Sequence, residues 1–191
     1  MSPQNSLTEA YFRNVYAESE DPWRFETSAY EAEKYRATIE MLGDVKYRRG
    51  LEIGCSIGVL TLDLARSCDE LVAVDIHEKP LIRARQRCAS RTNVTFEHMT
   101  VPRDIPDGDF DLVVISEVGY YWSDADLARV RDLIVAYGCG TTIQLVHYLP
   151  NVAEYLRDGD AVHEAFLRDE RFASVRSRRA ALYRIDVLTV R

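Results

Sequence analysis

The 191-residue chain is predicted to fold in the α/β class, as a doubly wound, mostly parallel seven-stranded sheet with a C-terminal antiparallel hairpin and an N-terminal helical cap. Three observations predict this. From Gly50 onward, short apolar runs alternate with amphipathic stretches, which is how strands buried on both faces by crossover helices read. The last two β-like segments adjoin with no helix between them, the mark of a hairpin. Before residue 43, apolar side chains recur at helical spacing instead.

The cap comes first. Tyr11, Phe12, Val15 and Tyr16 mark one helix, and Tyr30, Tyr35, Ile39 and Leu42 a second, with the tripeptide DPW between them. Pro22 disfavours helix in the residue before it and ends the first helix, and the Ser28 hydroxyl is placed to accept from the free amides that open the second. The alternation then runs GLEIG at 50–54, a helix over 59–68, LVAVD at 71–75, a helix over 80–90 and VTFEHM at 94–99. FDLVVISEV at 110–118, a helix over 124–137 and TTIQLVHYL at 141–149 continue it. A short helix over 160–169 precedes FASVRSRRA and ALYRIDVLTVR, the predicted hairpin at the sheet edge. Residues 1–42 and 43–191 thus read as the cap and core of a single domain.

Composition narrows the function classes. With 47% hydrophobic and 29% charged residues and no apolar run long enough for a bilayer, the chain reads as soluble. Its first residues lack the basic start and apolar core of a secretory signal, so a cytoplasmic location is expected. Cys55, Cys68, Cys88 and Cys139 form no CxxC pair and are expected as free thiols. The four histidines, His77, His98, His147 and His163, do not group with carboxylates at ligand spacing, so no metal is expected. A net charge of −7 repels a phosphate backbone, and Arg83, Arg85, Arg87 and Arg91 read as a solvated helix face, so no nucleic-acid partner is expected. Monomer and homodimer both remain open.

The most informative segment is LEIGCSIG at 51–58, where a strand ends in Glu52, Gly54 and Gly58 and opens into a helix. Glycine there lets backbone approach a ligand where a Cβ would collide. The next strand ends in Asp75, placed to reach the two hydroxyls of a ribose, and the third and fourth end at Glu97, His98 and Met99 and at Ser116 and Glu117. Strand termini therefore converge on one edge, where ligands of such sheets sit. A dinucleotide site is disfavoured, because Ser56 and Val59 occupy the second and third glycine positions of GxGxxG. S-adenosylmethionine has no pyrophosphate and tolerates both. A hydrolase elbow is the other rival: residues 54–58 spell GxSxG, with Asp111 and His147 following in triad order, although no oxyanion segment accompanies them.

On those residues the chain resembles class I methyltransferases, and within them the NodS-like group. The resemblance is carried by DPW at 21–23, YEAEKY at 30–35, LEIGCSIG at 51–58 and SEVGYYW at 116–122. It implies S-adenosylmethionine as cofactor, S-adenosylhomocysteine as product, and N-methylation of an amine on a small-molecule, amino-sugar or oligosaccharide acceptor. After the fifth strand the chain departs from the nodulation enzymes, with LVHYLPNVAEYLRDGDAVHEAF at 145–166, so O-methylation of a natural product and cofactor binding without catalysis stay open. Carried over by position, Glu52, Gly54, Cys55, Gly58, Asp75, Ile76, His98, Met99 and Ser116 contact the cofactor. Trp23, Tyr30 and Lys34 close a lid, with Lys34 meeting the methionine carboxylate.

Methyl transfer to an amine requires that the amine lose a proton. Glu117, His147 and His163, each on an element expected beside the pocket, are the candidate catalytic residues. Tyr120 and Tyr121 are expected to stack on the acceptor and Asp160 to bind it. Most have a plainer alternative: core packing for Trp23 and the tyrosines, solvent for Lys34, a solvated strand end for Glu117, a hydrogen-bonded strand end for His147 and a helix cap for Asp160.

Overall fold

The computed structural model describes residues 5–191. Two helices, α1 (Glu9–Glu18) and α2 (Ala29–Leu42), precede the sheet. Ser28 caps α2 by accepting from the Glu31 amide, as its position predicts. Between the helices the Asp21 carboxylate accepts from the amides of Phe25 and Glu26 at 2.8 and 3.0 Å, so DPW is a side-chain-stabilised turn.

The sheet comprises β1 (Tyr47–Ile53), β2 (Cys68–Asp75), β3 (Val94–His98), β4 (Leu112–Ser116), β5 (Thr142–Tyr148), β6 (Phe172–Arg179) and β7 (Tyr183–Val190), in the order β3-β2-β1-β4-β5-β7-β6. The pairs from β3 to β5 are parallel, and β7 runs antiparallel to both β5 and β6. Chain order reverses between β1 and β4, which makes their C-terminal ends the switch point.

Four helices join these strands: α3 (Val59–Leu64), α4 (Glu78–Arg87), α5 (Asp124–Ala136) and α6 (Gly159–Leu167). The helix expected over 59–68 is shorter, because Cys68 is already in strand, registered opposite Tyr47 and fully buried. The helix expected from 160 starts at Gly159, with Asp158 rather than Asp160 as its cap. The segment expected to prolong β4 to residue 118 leaves the sheet after Ser116 and forms a 3₁₀ turn at Gly119–Tyr121.

Alternating residues of the strands feed two cores. Leu51, Ile53, Val113 and Ile115 face α5 and α6 through Leu127, Val130, Val162 and Phe166. Leu112 and Val114 face the other way, onto Tyr35 and Leu42 of α2 and Leu60 and Leu64 of α3. Packing of α2 on the sheet carries Tyr30, Glu31 and Lys34 to the switch point.

Candidate functional site

A cavity of about 310 Å³ lies over the C-terminal ends of β1, β2 and β4, roofed by α1, α2 and the turn between them. On its β1 side, Gly54 has φ +82°, and a Cβ there would lie 2.1 Å from Val118 Cγ1, so only glycine lets the ends of β1 and β4 approach this closely. Ser56 follows with φ +48° and gives its amide to Asp75 Oδ2 at 2.9 Å, while the His77 amide reaches Oδ1 at 3.0 Å. Asp75 is thus pinned through both oxygens and still lines the cavity. Burial, only partly offset by these amides, raises its carboxyl to about 6. Glu52 is buried too and is pushed up to about 7, chiefly by burial. Its Oε2 has no hydrogen-bond partner among the described residues.

Cys55, Ile76, Met99 and Ser116 line the same cavity. Gly58 and His98 do not. Gly58 opens α3 at φ +76°, and a Cβ there would meet Ala84 Cα at 2.9 Å, so its glycine character serves α3–α4 packing. His98 Nε2 lies 2.8 Å from the Ile76 carbonyl on a largely solvated side chain.

The opposite wall holds a buried ion cluster. Lys34 Nζ lies 2.8 Å from Glu31 Oε2 and 2.5 Å from Glu117 Oε1, with the Tyr30 ring centroid 5.1 Å away. Burial alone would lower the Lys34 ammonium, but Glu117 and Glu31 together raise it. Lys34 is 1% exposed, so the solvent alternative fails. Glu117 sits at φ +61°, an uncommon conformation for a residue with a side chain, held because Oε2 accepts from the Tyr148 amide at 3.1 Å and from the Tyr120 hydroxyl. Trp23 lines the cavity, stacked on Phe25 with centroids 5.5 Å apart. Tyr120 and Tyr121 form a wall in which Tyr120 stacks on Tyr155 at 4.2 Å and 12°.

His147, His163 and Asp160 are placed elsewhere, contrary to the expectation that each lies beside the pocket. Side chains alternate along a strand, and here Tyr148 faces the cavity while His147 turns to the other face, beneath α6. His163 is fully buried against Asp186. Asp160 lies on the outer side of α6, bonded to Arg179 at 2.7 Å and Arg184 at 3.1 Å, and these hydrogen bonds, Arg179's foremost, hold it at about 2. The hydrolase triad therefore does not assemble. Ser56 Oγ is bonded to the Tyr16 hydroxyl at 2.6 Å, and Asp111 accepts the Arg48 and Arg49 amides beside the start of β4, at the opposite sheet edge.

Sequence reasoning missed Glu31, Tyr148, Tyr155 and Tyr16. The i, i+3 pairing of Glu31 with Lys34 was visible in YEAEKY, but the long-range partners carry no local signal. Among the described residues no group of three or more His, Cys, Asp and Glu is placed to hold a metal, and no helix is long and apolar enough to cross a membrane.

Residues 9–137 match the family model described as Nodulation protein S (NodS). Nodulation protein S of Bradyrhizobium diazoefficiens is 34% identical over 118 residues, 60% of this chain and 56% of that protein; the chain spans about half the length of the curated relatives it matches. The crystal structure of N-methyltransferase NodS from Bradyrhizobium japonicum WM9 in complex with S-adenosyl-L-homocysteine superposes with a TM-score of 0.82 at 20% identity, covering 95% of this chain and 97% of that one. A structure from Pseudomonas syringae, provisionally assigned as a methyltransferase, has a TM-score of 0.72 at 30% identity, covering 85% of this chain and 99% of that one.

Proposed function

We propose a reaction for this chain from one premise: it belongs to the nodulation protein S (NodS) family. On that premise it is an S-adenosylmethionine-dependent methyltransferase, and its acceptor is an amine of a small molecule, an amino sugar or an oligosaccharide. The observation that carries the reading is the unpartnered Oε2 of buried Glu52, in the same cavity as the pinned Asp75. A ligand bringing one ammonium and a ribose satisfies both, which is the donor set of this cofactor.

When bound, S-adenosylmethionine would supply a methyl group on a positively charged sulfur, with S-adenosylhomocysteine as the product. In this reading Glu52 takes the amino group, Asp75 takes the ribose hydroxyls, and Ile76 and Met99 pack beside the base. Gly54 and Cys55 let the backbone approach, Ser116 closes the β4 side, and Trp23 and Tyr30 exclude water from above. Alignment of this kind supplies roughly 7–11 kcal/mol of barrier reduction in a displacement.

Glu117 is the residue we assign to the acceptor amine. Its Oε2 is filled by two donors, but among the described residues Oε1 receives only Lys34 and keeps a lone pair for an amine N–H. Through that lone pair Glu117 orients the acceptor amine. Tyr120 and Tyr121 wall the acceptor side. The four free cysteines suit the reducing cytoplasm, where we place the protein.

The test is incubation with S-adenosylmethionine and an amine panel that includes glucosamine and deacetylated chitooligosaccharides, read by mass spectrometry. A gain of one methyl on nitrogen is expected. Cofactor binding with no transfer to any amine would overturn the reaction while leaving the cofactor in place.

A further inference from the structure

Behind the cavity wall, side chains from three elements form a hydrogen-bonded line that the proposed reaction does not use. His147 of β5, His163 of α6 and Asp186 of β7 are all fully buried. His147 Nδ1 lies 3.1 Å from His163 Nε2, and His163 Nδ1 lies 2.7 Å from Asp186 Oδ2, which also meets Arg184 Nε at 2.8 Å. At the other end the Gly119 amide donates to His147 Nε2 at 3.1 Å.

The proton order follows from the end groups. A backbone N–H only donates, so His147 Nε2 is bare and the ring's proton sits on Nδ1, where it is given to His163 Nε2. His163 must then carry its proton on Nδ1, which it gives to Asp186. Burial holds His147 well below the usual histidine range, and His163 and Lys34 push the same way. Burial also lowers His163, against the pull of Asp186. Both rings are therefore neutral near pH 7, as the order requires.

Two glycines admit the ring. A Cβ on Gly119 would lie 2.5 Å from Val162 Cγ1 and 2.8 Å from His147 Nε2, and one on Gly159 would lie 2.3 Å from the Tyr148 carbonyl oxygen and 2.9 Å from His147 Cβ. Gly119 opens the 3₁₀ turn two residues after the left-handed Glu117, with Val118 at φ −126° between them. The next residue, Tyr120, sets its ring against His147 at 5.4 Å and 74°, and its hydroxyl goes to Glu117.

We propose that His147, backed by His163 and Asp186, is a positioning residue that holds segment 117–121, and with it the acceptor wall, in one conformation through the Gly119 amide. What the segment is positioned for rests on the methyltransferase reading; the holding itself does not.

Long-range ¹H–¹⁵N NMR on the histidines of the wild-type protein reads the tautomers, and both His147 and His163 are expected as neutral Nδ1–H. An Nε2–H His147 would overturn the proposal even if no variant folds. Two variants separate the bonds. His147→Asn keeps an amide donor where Nδ1 lies but cannot reach Gly119, whereas His147→Gln places its oxygen where Nε2 lies. Exchange of the Gly119 amide is expected to be about tenfold faster in H147N and restored toward wild type in H147Q, with affinity for S-adenosylhomocysteine within about twofold in both. With an amine that the wild type methylates, H147N raises KM more than it lowers kcat, and H147Q recovers it. Equal Gly119 exchange in the two variants refutes the positioning role. If the wild type methylates no amine, the transfer reading fails and the tautomer and exchange results still decide this one.

Discussion

Replacing Lys34 by methionine probes the cluster that joins the helical cap to the sheet. Lys34 is 1% exposed and its partners Glu31 and Glu117 only 9% and 12%, so K34M leaves two carboxylates facing each other with little water between them. Breaking a buried pair in this way costs roughly 3–5 kcal/mol. Glu117 keeps its bonds from Tyr148 and Tyr120, which places the expected cost near the lower bound, about 3 kcal/mol at pH 8. For a chain of this length that is a fall in Tm of roughly 6–12 °C. The lysine's own contribution is flat up to about pH 9, because a lysine whose folded pKa is raised stabilises fully below its unfolded value and loses this only as pH rises through the folded one. The variant behaves differently. Burial already raises Glu31, and without Lys34 it rises further and takes up a proton in mild acid. Urea denaturation should therefore find a smaller penalty at pH 5, about 1–2 kcal/mol, and E31Q should recover part of the loss in the K34M background. A cost below about 1 kcal/mol at pH 8, or one independent of pH, would refute the reasoning.

Glu52 gives a prediction of opposite sign. Its carboxyl rises from 4.5 to about 7, so the folded protein binds the proton more tightly, and the stability this lends at low pH is lost as pH rises through about 7. At roughly 1.4 kcal/mol per unit, E52Q should stabilise the ligand-free protein by about 3 kcal/mol at pH 8 and little at pH 5, by urea denaturation, while weakening S-adenosylhomocysteine binding. Asp75, raised to about 6, should ionise to accept ribose hydroxyls, so calorimetric affinity for S-adenosylhomocysteine tightens from pH 5 to pH 7 in the wild type and not in D75N. E117Q should leave that affinity within about twofold and slow methyl transfer to an amine about 10- to 100-fold, as loss of one charged hydrogen bond implies; normal turnover would remove Glu117 from the acceptor site. Y16F deletes the 2.6 Å contact with Ser56 and should lower stability by about 1 kcal/mol in thermal unfolding.

The parallel sheet was legible because each strand is an apolar run framed by turn residues, and Asp75 because it ends one of them beside a glycine turn. Segment 116–122 was misread in part: SEVGYYW continues the apolar pattern of β4, and only the tertiary bonds of Glu117 to Lys34 and Tyr148 show why the chain leaves the sheet there. His147 was read as facing the pocket because strand ends converge on it. The alternation of β5 gives that direction to Tyr148, and a terminal residue's face cannot be fixed without the register against β7. Asp186 lies 23 positions from His163, and Glu117 lies 83 from Lys34, beyond any local pattern.

The central claim is tested most directly by calorimetric titration of the purified protein with S-adenosylhomocysteine, with NAD as the control ligand. One saturable site for S-adenosylhomocysteine and none for NAD is the predicted result. Binding of NAD instead, or of neither, would contradict the account.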